Sequence, residues 1–389
     1  MSPCACLEHV YNDSVRISSK QLLLSIFAVC GIWYTAAGAL ADDWESTICA
    51  ADAAQRAHKL DEAEKLFADA LRQAEAFGEG DPKLFMSLRG LADVYHERGE
   101  QDKAEQLYLR ELRMAEKVGY ANQSDPIYLW SALASISVSQ GRMAEGEQRY
   151  RKALSLVEQQ SGPNSAQVAG LLRSIGYCCH RQNHFDDAIV LAQRALKIHG
   201  MLEPNSMEVS YDLAQLSTLY QDKHDPVRSD EFEKEALAIR LRLCKPNDPN
   251  IVQSLARLAN NMVAEHKTDE AIALYETKLM KMGAVAYGPD SFPMSVLLQE
   301  LGSAYKDKKD YGKAIPLYER ALAIRKKTLS KEDSGVADAV TKLADCYLKG
   351  GRPAQARQVC QDYLHYVNSS PKVRQEALLK VRKKLAECD

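Results

Sequence analysis

The chain has 389 residues, with 50 lysines and arginines against 53 aspartates and glutamates, for a formal net charge of −3. Near-zero charge, with no basic stripe interleaved with aromatics, argues against a nucleic-acid partner. A hydrophobic fraction of 46% and a charged fraction of 26% fit a folded, soluble body.

The first element is not like the rest. Leu22 to Ala41 reads LLLSIFAVCGIWYTAAGALA and carries no charge. Arg16 and Lys20 precede it, and Ala39-Leu40-Ala41 stands before Asp42-Asp43 as a small-x-small cleavage signal. Glu8 and Asp13 make the leading region unusual for an export signal. Twenty apolar residues also suffice to span a bilayer. Residues 1–41 are therefore expected to be a signal peptide or an N-terminal membrane anchor. Either way the basic residues stay inside, and the remainder is expected to be exported: periplasmic, secreted or anchored outside the cytoplasm. Seven cysteines follow Ala41, an odd number at irregular spacing, so no disulfide framework is implied. Unpaired buried thiols suit a reducing compartment better, and here the N-terminal segment takes precedence.

From residue 42 onward a small motif recurs eight times. A small residue is followed four positions on by a bulky one and three further on by another interface residue. The copies are Ala63-Phe67-Ala70, Ala104-Tyr108-Glu111, Gly146-Tyr150-Ala153 and Ala188-Ala192-Ala195, then Ser229-Glu233-Ala236, Ala271-Tyr275-Lys278, Ala314-Tyr318-Ala321 and Ala356-Cys360-Tyr363. Their first members lie 41, 42, 42, 41, 42, 43 and 42 residues apart. A fixed period of this size means stacked units that cannot bury their apolar faces alone. A second motif precedes the first by about a dozen residues, as in Leu88-x-x-Leu91-Ala92-x-x-Tyr95 and Leu298-x-x-Leu301-Gly302-x-x-Tyr305. Spacings of 3, 4 and 7 put these side chains on one helical stripe. Each unit is thus an antiparallel helix pair packed through small residues. Gly99, Gly141 and Gly350-Gly351 end first helices. Pairs such as Asp81-Pro82 and Asp248-Pro249 separate the units.

The helix pair resembles the tetratricopeptide repeat, and its length resembles the 42-residue subtype typified by kinesin light chains. The nearest copy is Asp310–Asp333, DYGKAIPLYERALAIRKKTLSKED, with a proline inside its second helix. The resemblance covers Trp44 to Leu364. It implies an all-α, right-handed α-solenoid of about eight helix pairs over residues 42–364. Residues 365–389 are expected to form a C-terminal capping helix, because Val373, Ala377, Leu378, Val381 and Leu385 share one face while lysines and arginines cover the other.

Catalytic constellations are missing from the sequence. There is no GxxxxGK[ST], GxSxG or HExxH. Cys178-Cys179-His180 with His184 falls short of a metal site, since His184 lies in a turn and Cys179 belongs to the packing stripe. Asp186-Asp187 and Glu231/Glu233 read as helix-start or solvated carboxylates. No cofactor, metal or enzymatic activity is expected.

What remains is a binding groove. In the tetratricopeptide repeat family the first helices line the concave surface. The resemblance implies groove positions at Arg89, Asp93, Tyr128, Arg173, Tyr177, Tyr211, Gln221, Asn260, Gln299 and Lys306, with His96, Thr218, Gln253 and Ser303 beside them. Polar groups with scattered aromatics suit an extended peptide. The expected partners are proteins or peptides, with membrane contact only through the N-terminal segment. The function expected is a non-enzymatic binding scaffold. The alternative is a structural envelope assembly factor that acts through its convex face and ends.

Overall fold

The computed structural model describes residues 31–118, 125–331, 333–367 and 375–388, with only the backbone given for residues 31–42. The expected export segment therefore lies outside the described residues up to position 30, and beyond that only its helical backbone is described. Among the described residues no helix is long and apolar enough to cross a membrane, and no strand occurs.

Two compact units divide at Asn183/His184. The first contains α1 (Gly31–Arg56), α2 (Leu60–Ala74), α3 (Pro82–Glu97), α4 (Gln101–Val118), α5 (Pro126–Ser139), α6 (Met143–Ser161) and α7 (Ala166–Arg181). The second contains α8 (Phe185–Leu202), α9 (Met207–Asp222), α10 (Pro226–Leu243), α11 (Pro249–Ala264), α12 (Thr268–Leu274) and α13 (Met280–Tyr287). It continues with α14 (Phe292–Asp307), α15 (Tyr311–Thr328), α16 (Ser334–Lys349), α17 (Pro353–Val367) and α18 (Gln375–Ala386). Within each unit, successive helices pack on one another.

Local chemistry explains where helices start and stop. The first helices α3, α5, α7, α9, α11, α14 and α16 all begin at a Ser or Asp whose side chain accepts from a backbone N–H of the first turn. Such a cap satisfies a donor that the helix itself leaves open. The turn between the two helices of every copy passes through one left-handed residue. These are His58, Gly99, Gly141, Asn183, His224, His266, Lys309 and Gly351, and their spacing repeats that of the packing motif. Glycine is the residue expected there, yet five of the eight are not glycine. The closing bonds are kept regardless: the amide of Asp310 donates to Tyr305 O at 2.9 Å, as that of Glu100 does to Tyr95 O at 2.8 Å. Those bonds hold a conformation that costs a side chain about 1 kcal/mol or more.

The packing motif lies where its spacing places it. Ala63, Phe67 and Ala70 are buried, as are Ala314, Tyr318 and Ala321, and Ala356, Cys360 and Tyr363. The sixth copy is a correction. Lys278 is exposed, and Leu279 is buried in its place. Between α12 and α13 the helix widens into a π-turn over Tyr275–Leu279. An inserted residue absorbed in this way shifts the register by one, and this same copy shows the 43-residue interval.

At the C-terminus α18 packs on α16 and α17, burying Ala377 and Val381. Lys384 reaches back to Asp345 at 3.7 Å. α18 thus covers α16 and α17 and leaves Leu379 68% exposed among its lysines.

Candidate functional site

A repeating contact organises the inner side of the second helices. The bulky residue of the packing motif faces the residue fifteen positions earlier on its own first helix. Tyr108 donates to Asp93, Tyr275 to Asn260 at 2.7 Å, and Tyr318 pairs with Ser303 at 2.8 Å. Tyr150 bonds Ser135 and Ser174. The same column meets the next first helix about 24 positions later. There Tyr150 finds Ser174, Tyr275 finds Glu300 at 2.9 Å, and Glu233 finds Arg257 at 2.6 Å. Phe67 has no hydroxyl and lies against Gly90. Several expected groove residues are thus partly held by packing tyrosines.

In the first unit this produces one polar cluster. Arg89 forms an ion pair with Glu111, which is fully buried on α4, and lies over the Tyr128 ring at 5.2 Å. Asp93 accepts from both Tyr108 and Tyr128, the latter at 2.6 Å. Burial raises both carboxyls above their usual range, and the neighbouring Arg89 pulls each back. Burial beside Asp93 also pushes the Tyr128 hydroxyl well above the usual tyrosine range. Arg89, Asp93 and Tyr128 therefore meet in one cluster, bonded to one another and to Glu111 and Tyr108. On α7, Tyr177 is 44% exposed and Arg173 is half-buried.

In the second unit, a cavity of ≈ 380 Å³ opens on the face carried by α9, α11 and α14. Its lining includes Thr218, Gln221, Gln253 and Asn260, all groove positions in the sequence. It also includes Arg257, Tyr287, Phe292 and Glu300, which the sequence reading did not single out. Gln221 donates to Asn261 at 3.1 Å. Glu300 is held above its ordinary range by burial, against the hydrogen bonds from Tyr275 and Asn260. The hollow brings two rings, Tyr287 and Phe292, beside several polar groups.

The remaining groove candidates fall elsewhere. Tyr211 is partly exposed and stands near the Arg240 guanidinium at 5.9 Å. Lys306 is tied to Asp345 at 3.4 Å near the capped end. Gln299 is a correction: it lies on α14 and is only 8% exposed, so it does not present an open groove surface. Glu233 is a second correction. It is not a solvated carboxylate but is fully buried, paired with Arg257 at 2.6 Å and near Arg240 at 3.6 Å. The signal for that pair was present as a charge in an aromatic column, but its partner lies 24 residues away.

Two further buried cations were not read from the sequence. Arg240 donates to Ser254 at 2.7 Å and to Asn250 O at 3.1 Å. Arg325 donates to Gly335 O at 2.9 Å and to Ser295 at 3.2 Å. Each reaches from a second helix to the start of the next first helix and satisfies groups there. Among the described residues no group of three His, Cys, Asp or Glu side chains is arranged to hold a metal ion.

The tetratricopeptide repeat family matches residues 45–117, 126–199 and 294–364. Two curated Arabidopsis thaliana relatives, Protein KINESIN LIGHT CHAIN-RELATED 1 and 2, are 24% and 23% identical over 61% and 75% of this chain. The chain spans 39% and 45% of their lengths, under half of each. Among solved structures, the apo form of the quorum sensor NprR from B. thuringiensis matches with a TM-score of 0.60 and 13% identity, over 82% of this chain and 86% of that one. At such identity the likeness is one of fold.

Proposed function

We propose that this chain, which belongs to the tetratricopeptide repeat family and carries repeats of the kinesin-light-chain-like type, is a non-catalytic scaffold that binds a peptide segment of its partner along the faces of its first helices. Scaffolds of this fold are typical of protein–protein interaction. The observation that carries the finer reading is the cavity at Gln221, Gln253 and Asn260, where amide groups line an open face between three successive first helices. Amides can both donate to and accept from a peptide backbone without selecting its side chains.

The test compares two surfaces. Gln253→Ala and Tyr177→Ala alter exposed side chains of the first-helix faces. Gln358→Ala and Val359→Ala alter a second hollow, lined by α15, α16 and α17. Partner capture, read by affinity purification and mass spectrometry, is expected to weaken about tenfold for the first pair, with unchanged melting. Capture lost only in the second pair would favour an assembly factor working through its outer surface.

The uncharged run at 22–41 supports a further part of the proposal, that the repeats are carried out of the cytoplasm. A phosphatase joined after Asp389, active only when exported, is expected to be active in cells. An inactive fusion with soluble, full-length protein would overturn it.

A further inference from the structure

The geometry points to the second-unit cavity as a receptor for a basic side chain, an arginine or lysine of the bound segment, with Glu300 as its counter-charge. This rests on the proposal that the first-helix faces bind peptide, and it adds a side-chain preference at one place.

Glu300 lines the cavity from α14 and has no ion pair among the described residues. Its charged neighbours are committed elsewhere. Arg257, from α11, gives its Nη1 to Glu233. Lys342, from α16, stands 3.7 Å from Asp338. Arg240, beyond Glu233, is fully buried and bonded to serines and a carbonyl. Both arginines thus converge on Glu233, and Arg257, which also lines the cavity, acts on Glu300 only through space.

The donors to Glu300 are also few. The one hydroxyl proton of Tyr275 lies within reach of both Asn260 Oδ1 and Glu300 Oε2. The Asn260 amide supplies one more hydrogen bond. An ionised carboxylate offers about four acceptor sites, more than these two donors fill. Tyr287 and Phe292 form part of the wall, and Phe292 is 40% exposed. A guanidinium or ammonium entering here meets a carboxylate in a wall that also carries two rings, of which Phe292 already has the Arg325 guanidinium 5.6 Å from its centroid. Gln253, exposed on the same wall, can take the adjoining backbone, while Gln221 and Asn260 already bond Asn261, Tyr275 and Glu300.

Burial raises the Glu300 carboxyl above its ordinary range. A cation binds its ionised form, so affinity for a basic segment should fall as pH drops through that raised value, and recover above it.

The test uses the full chain and fluorescein-labelled hexapeptides of Gly, Ser and Ala with one central Arg, Lys, norleucine or Glu, read by fluorescence polarisation. The Arg and Lys peptides are expected to bind about tenfold tighter than the norleucine and Glu peptides. Glu300→Gln, which keeps the side-chain shape, should erase that difference. Gln253→Lys, on an exposed rim position, should weaken the Arg and Lys peptides and spare norleucine. Equal binding of all four peptides would overturn the charge preference while leaving the groove reading standing. A preference that survives Glu300→Gln would also overturn it, as would no binding of any peptide. Failure of the groove reading itself would appear separately, as partner capture that ignores Gln253→Ala and Tyr177→Ala.

Discussion

Glu233→Leu should destabilise the second unit by about 3–5 kcal/mol, the usual cost of leaving a buried charge without its partner. Glu233 is fully buried and holds Arg257 at 2.6 Å, with Arg240 at 3.6 Å. Arg257 keeps only 16% of its side chain exposed, so water can replace the lost carboxylate only in part. Adding Arg257→Leu should recover most of the loss, because a well-packed apolar pair is often as stable as the buried ion pair it replaces. Arg240 keeps its serine and carbonyl partners in either variant. Urea denaturation followed by circular dichroism would read all three proteins. A single variant as stable as the parent would mean that the ion pair does not hold α10 to α11.

Gly90→Ala is expected to cost about 1–3 kcal/mol or more, although it adds one methyl group. A Cβ at that position would lie 2.1 Å from Cε1 of Phe67 and within 2.6 Å of two further ring carbons. Phe67 is fully buried among the side chains that join α1, α2 and α3, so the ring cannot swing clear. The backbone at Gly90 is helical, so the cost comes from the clash and not from a strained dihedral. In an open helical position the same change would stabilise by up to about 1 kcal/mol, which makes the sign of the result diagnostic. Phe67→Leu should rescue part of the loss when combined with Gly90→Ala, a coupling that a double-mutant cycle measures. A raised melting temperature for Gly90→Ala alone would show that α2 and α3 are not packed as described.

The two substitutions probe one column of the repeat at different copies. At Gly90 the column has shrunk to admit a ring, at Ser174 it meets a hydroxyl, and at Arg257 it meets a carboxylate. The groove candidates inherit this logic. Asp93 and Asn260 were legible as first-helix positions, but their hydroxyl partners came from second helices fifteen residues on. Gln299 occupies the same register as Arg89, yet it is buried where Arg89 keeps contact with solvent. Register alone therefore placed a side chain on a helix face, but not its final degree of exposure. Lys278 failed for a different reason: one inserted residue turned a helix face by a π-turn, and a pattern of fours and threes does not register that shift.

The amino-acid sequence by itself determined the helix pairs, their period, and the turns marked by Gly99, Gly141 and Gly350-Gly351. All of these follow from local forces: the helical repeat, the ease with which glycine ends a helix, and the need of small residues for close approach. Tertiary structure alone decided that Glu233 would be neutralised by Arg257 and that Glu300 would face a cavity without an ion pair. Those outcomes depend on residues about 24 positions apart, brought together only when one repeat stacks on the next. Charge pairing and burial are properties of that contact, so no single repeat carries them.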